Sequence, residues 1–209
     1  MNPLFDFFFG QYAAYSPQDS ALEITAVFLG LVSVWYAKEN KIAVYPTGMI
    51  STAIFVYLLW KWVLLGDMLI NAYYFVMSAY GWYFWIQKKG EQSLHPIARI
   101  SQQEAIISIG LFLFSIIGVY QVYQYFEMWT SWTAYIDTFT TAIFFVGMWL
   151  MARRKMEHWI FWIIGDIISV PLYFYKGLTI TSIQYIIFTL IAIYGYRAWK
   201  QDLQLRLAA

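Results

Sequence analysis

Long apolar runs recur almost end to end in this chain and leave it few folds to adopt. Runs of about 18 to 25 residues match the roughly 30 Å of hydrocarbon that a spanning helix must cross. In lipid every backbone N–H and C=O must find its partner internally, so runs of this length without strand alternation predict helices. Reading between charged or turn-like breaks predicts seven spans, at residues 21–38, 42–65, 68–87, 104–125, 132–152, 157–175 and 179–199. The 209 residues are 61% hydrophobic and only 12% charged, against about 25% charged in a soluble domain. The expected fold class is an all-α integral membrane protein with no soluble domain. A net charge of +1 offers nothing to nucleic acid, and the absence of cysteine excludes disulfides, iron–sulfur clusters and cysteine-bound zinc.

Basic residues predict the orientation. With the N-terminus outside, the inner loops hold Lys38, Lys41, Lys88, Lys89, Arg99, Arg153, Arg154 and Lys155, and the C-terminal tail adds Arg197, Lys200 and Arg206. Only Lys61 and Lys176 fall near the outer face. Such a bias follows the positive-inside rule and predicts an outer N-terminus and an inner C-terminus; the expected location is a bacterial inner membrane, N-terminus periplasmic and C-terminus cytoplasmic. Residues 1–20 lack a basic n-region and carry Asp6 and Asp19, so they are read as an aromatic-rich segment at the outer interface, not as a secretory signal.

A shift of 114 residues superimposes the two ends of the chain without a gap. It places Glu23 on Asp137, Trp35 on Trp149 and Lys41 on Lys155, and sets Tyr80-Gly81-Trp82-Tyr83-Phe84-Trp85 against Tyr194-Gly195-Tyr196-Arg197-Ala198-Trp199. Apolar matches between helices arise easily by chance; paired Tyr-Gly and Trp at one spacing do not. The expected organisation is a first three-helix bundle at 21–87, an inner loop, linker helix and outer loop at 88–134, a second bundle at 135–199 and a cytoplasmic tail at 200–209. One intervening helix gives both bundles the same orientation, a 3+1+3 parallel repeat, which is a transporter architecture with its site near the midplane.

Three carboxylates fall inside spans: Glu23, Asp137 and Asp166. Each costs about 2.5–3.5 kcal/mol at the bilayer centre on insertion scales, so such acids face a bundle interior or a wet cavity. No Lys or Arg is expected deep enough to pair with them. Trp159, Trp162 and Asp166 are spaced by three and four residues and share one helical face. Two indoles and an acid describe a site for a flat cationic ring; Trp159 alone is also consistent with an interfacial aromatic belt. Asn71 and Gln184 occupy nearly equivalent positions of the repeat, as interhelical bonds or substrate contacts. Pro46 and Pro171 are expected to break backbone bonds within helices. His95 and His158 fall at inner-loop positions and suggest no metal site, no cofactor is expected, and no Gly-x-x-x-x-Gly-Lys loop supports an ATP-driven pump.

The chain resembles the PnuC family of vitamin-precursor transporters over residues 20–200. The residues that carry the resemblance are Ala79-Tyr80-Gly81-Trp82-Tyr83-Phe84-Trp85, Trp159-Ile160-Phe161-Trp162, and Ser169-Val170-Pro171 through the closing Tyr194-Gly195-Tyr196-Arg197-Ala198-Trp199. The resemblance implies a fold like the SWEET sugar transporters, a homotrimer, and facilitated diffusion of an unphosphorylated riboside trapped by a cytoplasmic kinase; it implies no enzyme activity. Carried over, it makes Trp159 and Trp162 the site aromatics and Gln184 a sugar contact, and it sets Asn71 at a glutamine-like position and Asp166 where nicotinamide riboside carriers often have asparagine. With Tyr185 and Phe188 these form the expected substrate-binding set. Nicotinamide riboside and thiamine, both cationic, suit two tryptophans and an aspartate; neutral riboflavin suits them less. Tyr135-Ile136-Asp137 and Gly165-Asp166 fall short of the Tyr-Asp and Gly-x-Gly-Asp motifs of intramembrane aspartyl proteases, because Ile136 intervenes in one and Ile163 replaces a glycine in the other.

Overall fold

The computed structural model describes residues 16–62, 65–90, 92–127, 129, 131–176 and 179–208. They form seven helices: α1 (Pro17–Lys38), α2 (Val44–Lys61), α3 (Leu65–Ile86), α4 (Gln102–Tyr125), α5 (Thr133–Ala152), α6 (His158–Tyr175) and α7 (Thr179–Ala208). Between α3 and α4 the chain makes a two-residue antiparallel ladder, β1 (Lys88–Lys89) with β2 (Gln92–Ser93), a small departure from the all-helical expectation. By length and composition, α1, α4, α5 and α6 are apolar enough to cross a membrane. The other three also carry tyrosines and small polar residues, some of which, Ser51, Thr52, Tyr74, Ser78 and Tyr185, lie at the site.

Helix ends follow local chemistry. Ser16 accepts from the Asp19 amide at 3.1 Å and Pro17 occupies the first turn, so α1 starts four residues before the expected 21. The rest of the expected interfacial segment, residues 1–15, lies outside the described residues. Ser101 and Glu104 form a reciprocal capping box that starts α4. Pro46 sits in the first turn of α2, where no intrahelical bond is lost; of these two prolines only Pro171 stands inside a helix. The expected tail at 200–209 is helical through Ala208, an extension of α7.

α5 is the central element, with 67% of its most apolar window buried against 11% for α4 at the periphery. Neighbouring helices pack as α1 on α2, α2 on α3, α4 on α5, α5 on α6 and α6 on α7; α1 also packs on α7 and α3 on α5. The seam made by those last two contacts is bonded at the end where α1 and α5 finish. There Trp85 Nε1 donates to Ala152 O at 3.2 Å, and Trp199 Nε1 donates to Ala37 O at 2.9 Å.

Both helices that finish there turn through a left-handed residue, Asn40 (φ 54°) and Arg154 (φ 58°). Asparagine tolerates this conformation; arginine pays a backbone cost. The side chain of Arg154 recovers it by donating to Asn40 Oδ1 (2.9 Å), Ser93 Oγ (2.7 Å) and His95 O (3.0 Å) while lying 4.1 Å from the centre of the Trp85 ring. The segment after β2 is thereby docked on the α5–α6 turn, where Met156 N donates to Ala98 O at 2.9 Å. His95 stacks on Phe84 at 3.6 Å, and burial together with the nearby Arg153, Arg154 and Lys155 holds its pKa below the usual value. His158 is not in a loop: it opens α6, fully buried beside Trp159 and Trp199.

At the opposite end, Lys61 pairs with Asp19 and Lys176 pairs with Asp137, each at 2.6 Å. The expectation that no basic residue reaches the span carboxylates is therefore wrong for Asp137, because α5 and α6 bring their ends together there. Glu23, half-buried in α1, lies a turn beyond Asp19. Lys176 keeps 26% of its side chain accessible, and pairs so placed contribute about 0–1 kcal/mol. Lys176→Gln should lower stability by no more than that, read as a small shift in thermal melting of the detergent-solubilised protein.

Candidate functional site

A cavity of about 220 Å³ lies along the seam. All seven residues of the expected binding set line it: Asn71 from α3, Trp159, Trp162 and Asp166 from α6, and Gln184, Tyr185 and Phe188 from α7. Helical spacing accounts for this meeting. Trp159, Trp162 and Asp166 share one face of α6, and Gln184 and Phe188 stand one turn apart on α7.

One wall is aromatic. Phe144 stacks on Trp162 with ring centres 5.4 Å apart and planes at 28°, and on Tyr185 at 6.1 Å and 12°. Tyr74 closes on Trp162 at 6.2 Å. Gly165 makes this wall possible, since a Cβ there would collide with the Phe144 ring. Asp166 is 2% exposed, and among the described lining residues there is no Lys, Arg or His.

The two tryptophans differ in kind. Trp162 is half-buried with its ring among the cavity aromatics. Trp159 is 1% exposed and belongs to the core: it lies 4.4 Å from His158 and meets Trp199 edge-on at 5.8 Å. Its ring crosses Gly195, where a Cβ would stand 2.5 Å from Cζ2. The surface-belt alternative for Trp159 is thus excluded. Its Nε1 is buried without a hydrogen-bond partner.

Small and polar residues of α1, α2 and α3 complete the lining, and several were not anticipated: Gly30, Ser33, Gly48, Ser51, Thr52, Tyr74 and Ser78. A signal for some of them was present. Subtracting 114 from Trp162, Asp166, Tyr185 and Phe188 lands on Gly48, Thr52, Asn71 and Tyr74, all of which line the cavity. Asn71 donates through Nδ2 to Asp67 O at 2.9 Å, which leaves its amide oxygen as an acceptor. Asp137 does not line the cavity and is paired to Lys176, so the structure does not bring Asp137 and Asp166 together as an aspartyl protease would require.

A family model described as nicotinamide mononucleotide transporter matches residues 20–201. The chain belongs to this family of PnuC transporters. The nicotinamide riboside transporter PnuC of Escherichia coli (strain K12) is 26% identical over 203 residues, which cover 86% of this chain and 85% of that protein. The riboflavin/roseoflavin transporter RibM of Streptomyces davaonensis is 26% identical over 162 residues, covering 68% of this chain and 74% of its own. A crystal structure of the vitamin B3 transporter PnuC superimposes with a TM-score of 0.65 at 22% identity, over 88% of this chain and 83% of that one. The PnuC fold is therefore shared, and the PnuC family consists of membrane transporters, not enzymes. Thiamine is not favoured by these relatives.

Proposed function

We propose that this chain takes up nicotinamide riboside across a bacterial inner membrane by facilitated diffusion, with a cytoplasmic kinase trapping the product. The observation that carries the reading is Asp166, buried in an aromatic-walled cavity with no basic residue among its described lining residues. A buried acid with no ion-pair partner among the described residues is poised for a cation supplied by the ligand, and indole faces add attraction for a cationic ring. The same lining argues for a riboside over its phosphate, which would bring negative charge to Asp166 with no lysine or arginine among the described lining residues to receive it. Neutral flavins gain nothing from the acid.

The parallel 3+1+3 repeat and its SWEET-like arrangement belong to this proposal. They are supported by cavity-lining pairs at the 114-residue offset: Gly30 with Phe144, Gly48 with Trp162, Thr52 with Asp166, Asn71 with Tyr185 and Tyr74 with Phe188. Packing agrees, since Tyr45 lies over Gly81 as Trp159 lies over Gly195. A site on such an axis suits alternating access. The distribution of basic residues supports an outer N-terminus, and the family resemblance supports a homotrimer.

Purified protein in liposomes should equilibrate labelled nicotinamide riboside without a proton or sodium gradient and leave it chemically unchanged. Accumulation above the external concentration in vesicles lacking a kinase, or cleavage of the recovered substrate, would overturn the mechanism.

A further inference from the structure

Helices α2 and α6 present opposite chemistry to the one cavity. α6 offers Trp162 and Asp166, beside Phe144 of α5; at the matching positions α1 and α2 offer Gly30, Gly48 and Thr52. Hydroxyl groups stand beside those glycines. Ser33 Oγ donates to Val44 O at 2.7 Å, Ser51 Oγ to Ala26 O at 2.7 Å, and Thr52 Oγ1 to Gly48 O at 2.9 Å. A hydroxyl has one hydrogen, so each of these oxygens has committed its donor and keeps only acceptor capacity.

The glycines keep the oxygens uncovered. A Cβ on Gly48 would stand 2.9 Å from Ser33 Oγ, and one on Gly30 would stand 3.3 Å from Ser51 Oγ. In the other half the equivalent volumes are filled by Trp162 and Phe144. An acceptor shelf with open space above it fits a ligand part that is rich in hydroxyl donors and that cannot stack.

We infer that Ser33, Ser51 and Thr52 are specificity-determining contacts that accept hydrogen bonds from the sugar hydroxyls, while α6 holds the ring. The substrate then lies across the seam with one end defined by each half of the chain. This assignment rests on the riboside reading above and adds to it residues of α1 and α2 that no π-stacking or charge argument would select.

Binding of nicotinamide riboside and of its 2′,3′-dideoxy analogue, each followed by tryptophan fluorescence, tests it on wild type, Ser51→Ala, Thr52→Val and Gly30→Ala. Each hydroxyl variant should weaken riboside binding about five- to tenfold, the size of one net hydrogen bond, and should change binding of the dideoxy form less than about twofold. Gly30→Ala, which covers the Ser51 oxygen, should show the same selectivity. Ser51 also ties α2 to α1, so its loss affects packing; the Thr52 bond stays within its own helix, and Thr52→Val keeps the shape and the fold. Equal losses for both ligands, or unchanged riboside affinity in Thr52→Val and Gly30→Ala, would overturn the assignment while leaving the riboside reading intact. Wild-type protein that binds neither ligand would overturn both.

Discussion

Asp166→Asn should weaken binding of nicotinamide riboside about five- to thirty-fold more than binding of its uncharged reduced form. The carboxylate is 2% exposed and no Lys, Arg or His is among the described residues that line its cavity, so the positive ring is the natural partner for its charge. A unit pair about 4 Å apart gains roughly 4 kcal/mol at an effective dielectric constant of 20. Desolvation of the acid consumes much of that, leaving about 1–2 kcal/mol, the usual margin of a charge-assisted contact over a neutral one. Asparagine keeps an acceptor oxygen in the same place and removes only the charge. Binding curves for both ligand forms on both proteins close the cycle, and equal losses for the two forms would remove Asp166 as the counter-ion.

The second large effect separates the two tryptophans. Trp159→Ala should cost about 3–5 kcal/mol of stability, the range for truncating a large aromatic in a core, because the ring fills the space between His158, Trp199 and Gly195. Trp162→Ala should leave the fold largely intact, since its ring is half-buried on the cavity. It should instead weaken ligand binding about two- to thirty-fold, matching the 0.5–2 kcal/mol of a desolvated cation–π contact. Trp159→Phe retains an aromatic face over Gly195 and should lose less than either. Thermal melts and fluorescence titrations on the three variants establish the order; a Trp162→Ala protein with unchanged affinity would move the ring elsewhere.

Residues that are conspicuous in an apolar run were legible from sequence. Asp166, Asn71 and Gln184 are expensive in lipid, and Trp159 and Trp162 share a helical face, so all five pointed to a common interior before any fold was known. Glycine and serine carry no such mark. Gly30, Ser33 and Ser51 look like ordinary helix-packing residues, and their part in the cavity emerges only from the fold; Gly48 is marked only by standing 114 residues before Trp162. The ion pair of Asp137 with Lys176 was hidden for another reason: it joins residues at the two ends of a helical hairpin, and hydropathy reports depth along one helix, not the neighbour across the turn. Trp159 was half legible, because spacing placed it on the right face but could not reveal that Gly195 lets its ring sink into the core.

Trp85 and Trp199 act as a clasp with two hooks. Trp85 reaches from α3 to Ala152 of α5 and Trp199 from α7 to Ala37 of α1, whereas Lys61 fastens only α2 to α1 and Lys176 only the end of α6 to α5 at the far end. Parting the clasped end releases both hooks, about 1 kcal/mol each, and the Arg154–Asn40 bond beside them, while spreading the far end breaks neither lysine pair. Among the described residues, these side-chain bonds across the seam therefore gather at one end, while the far end is fastened by pairs that do not cross it.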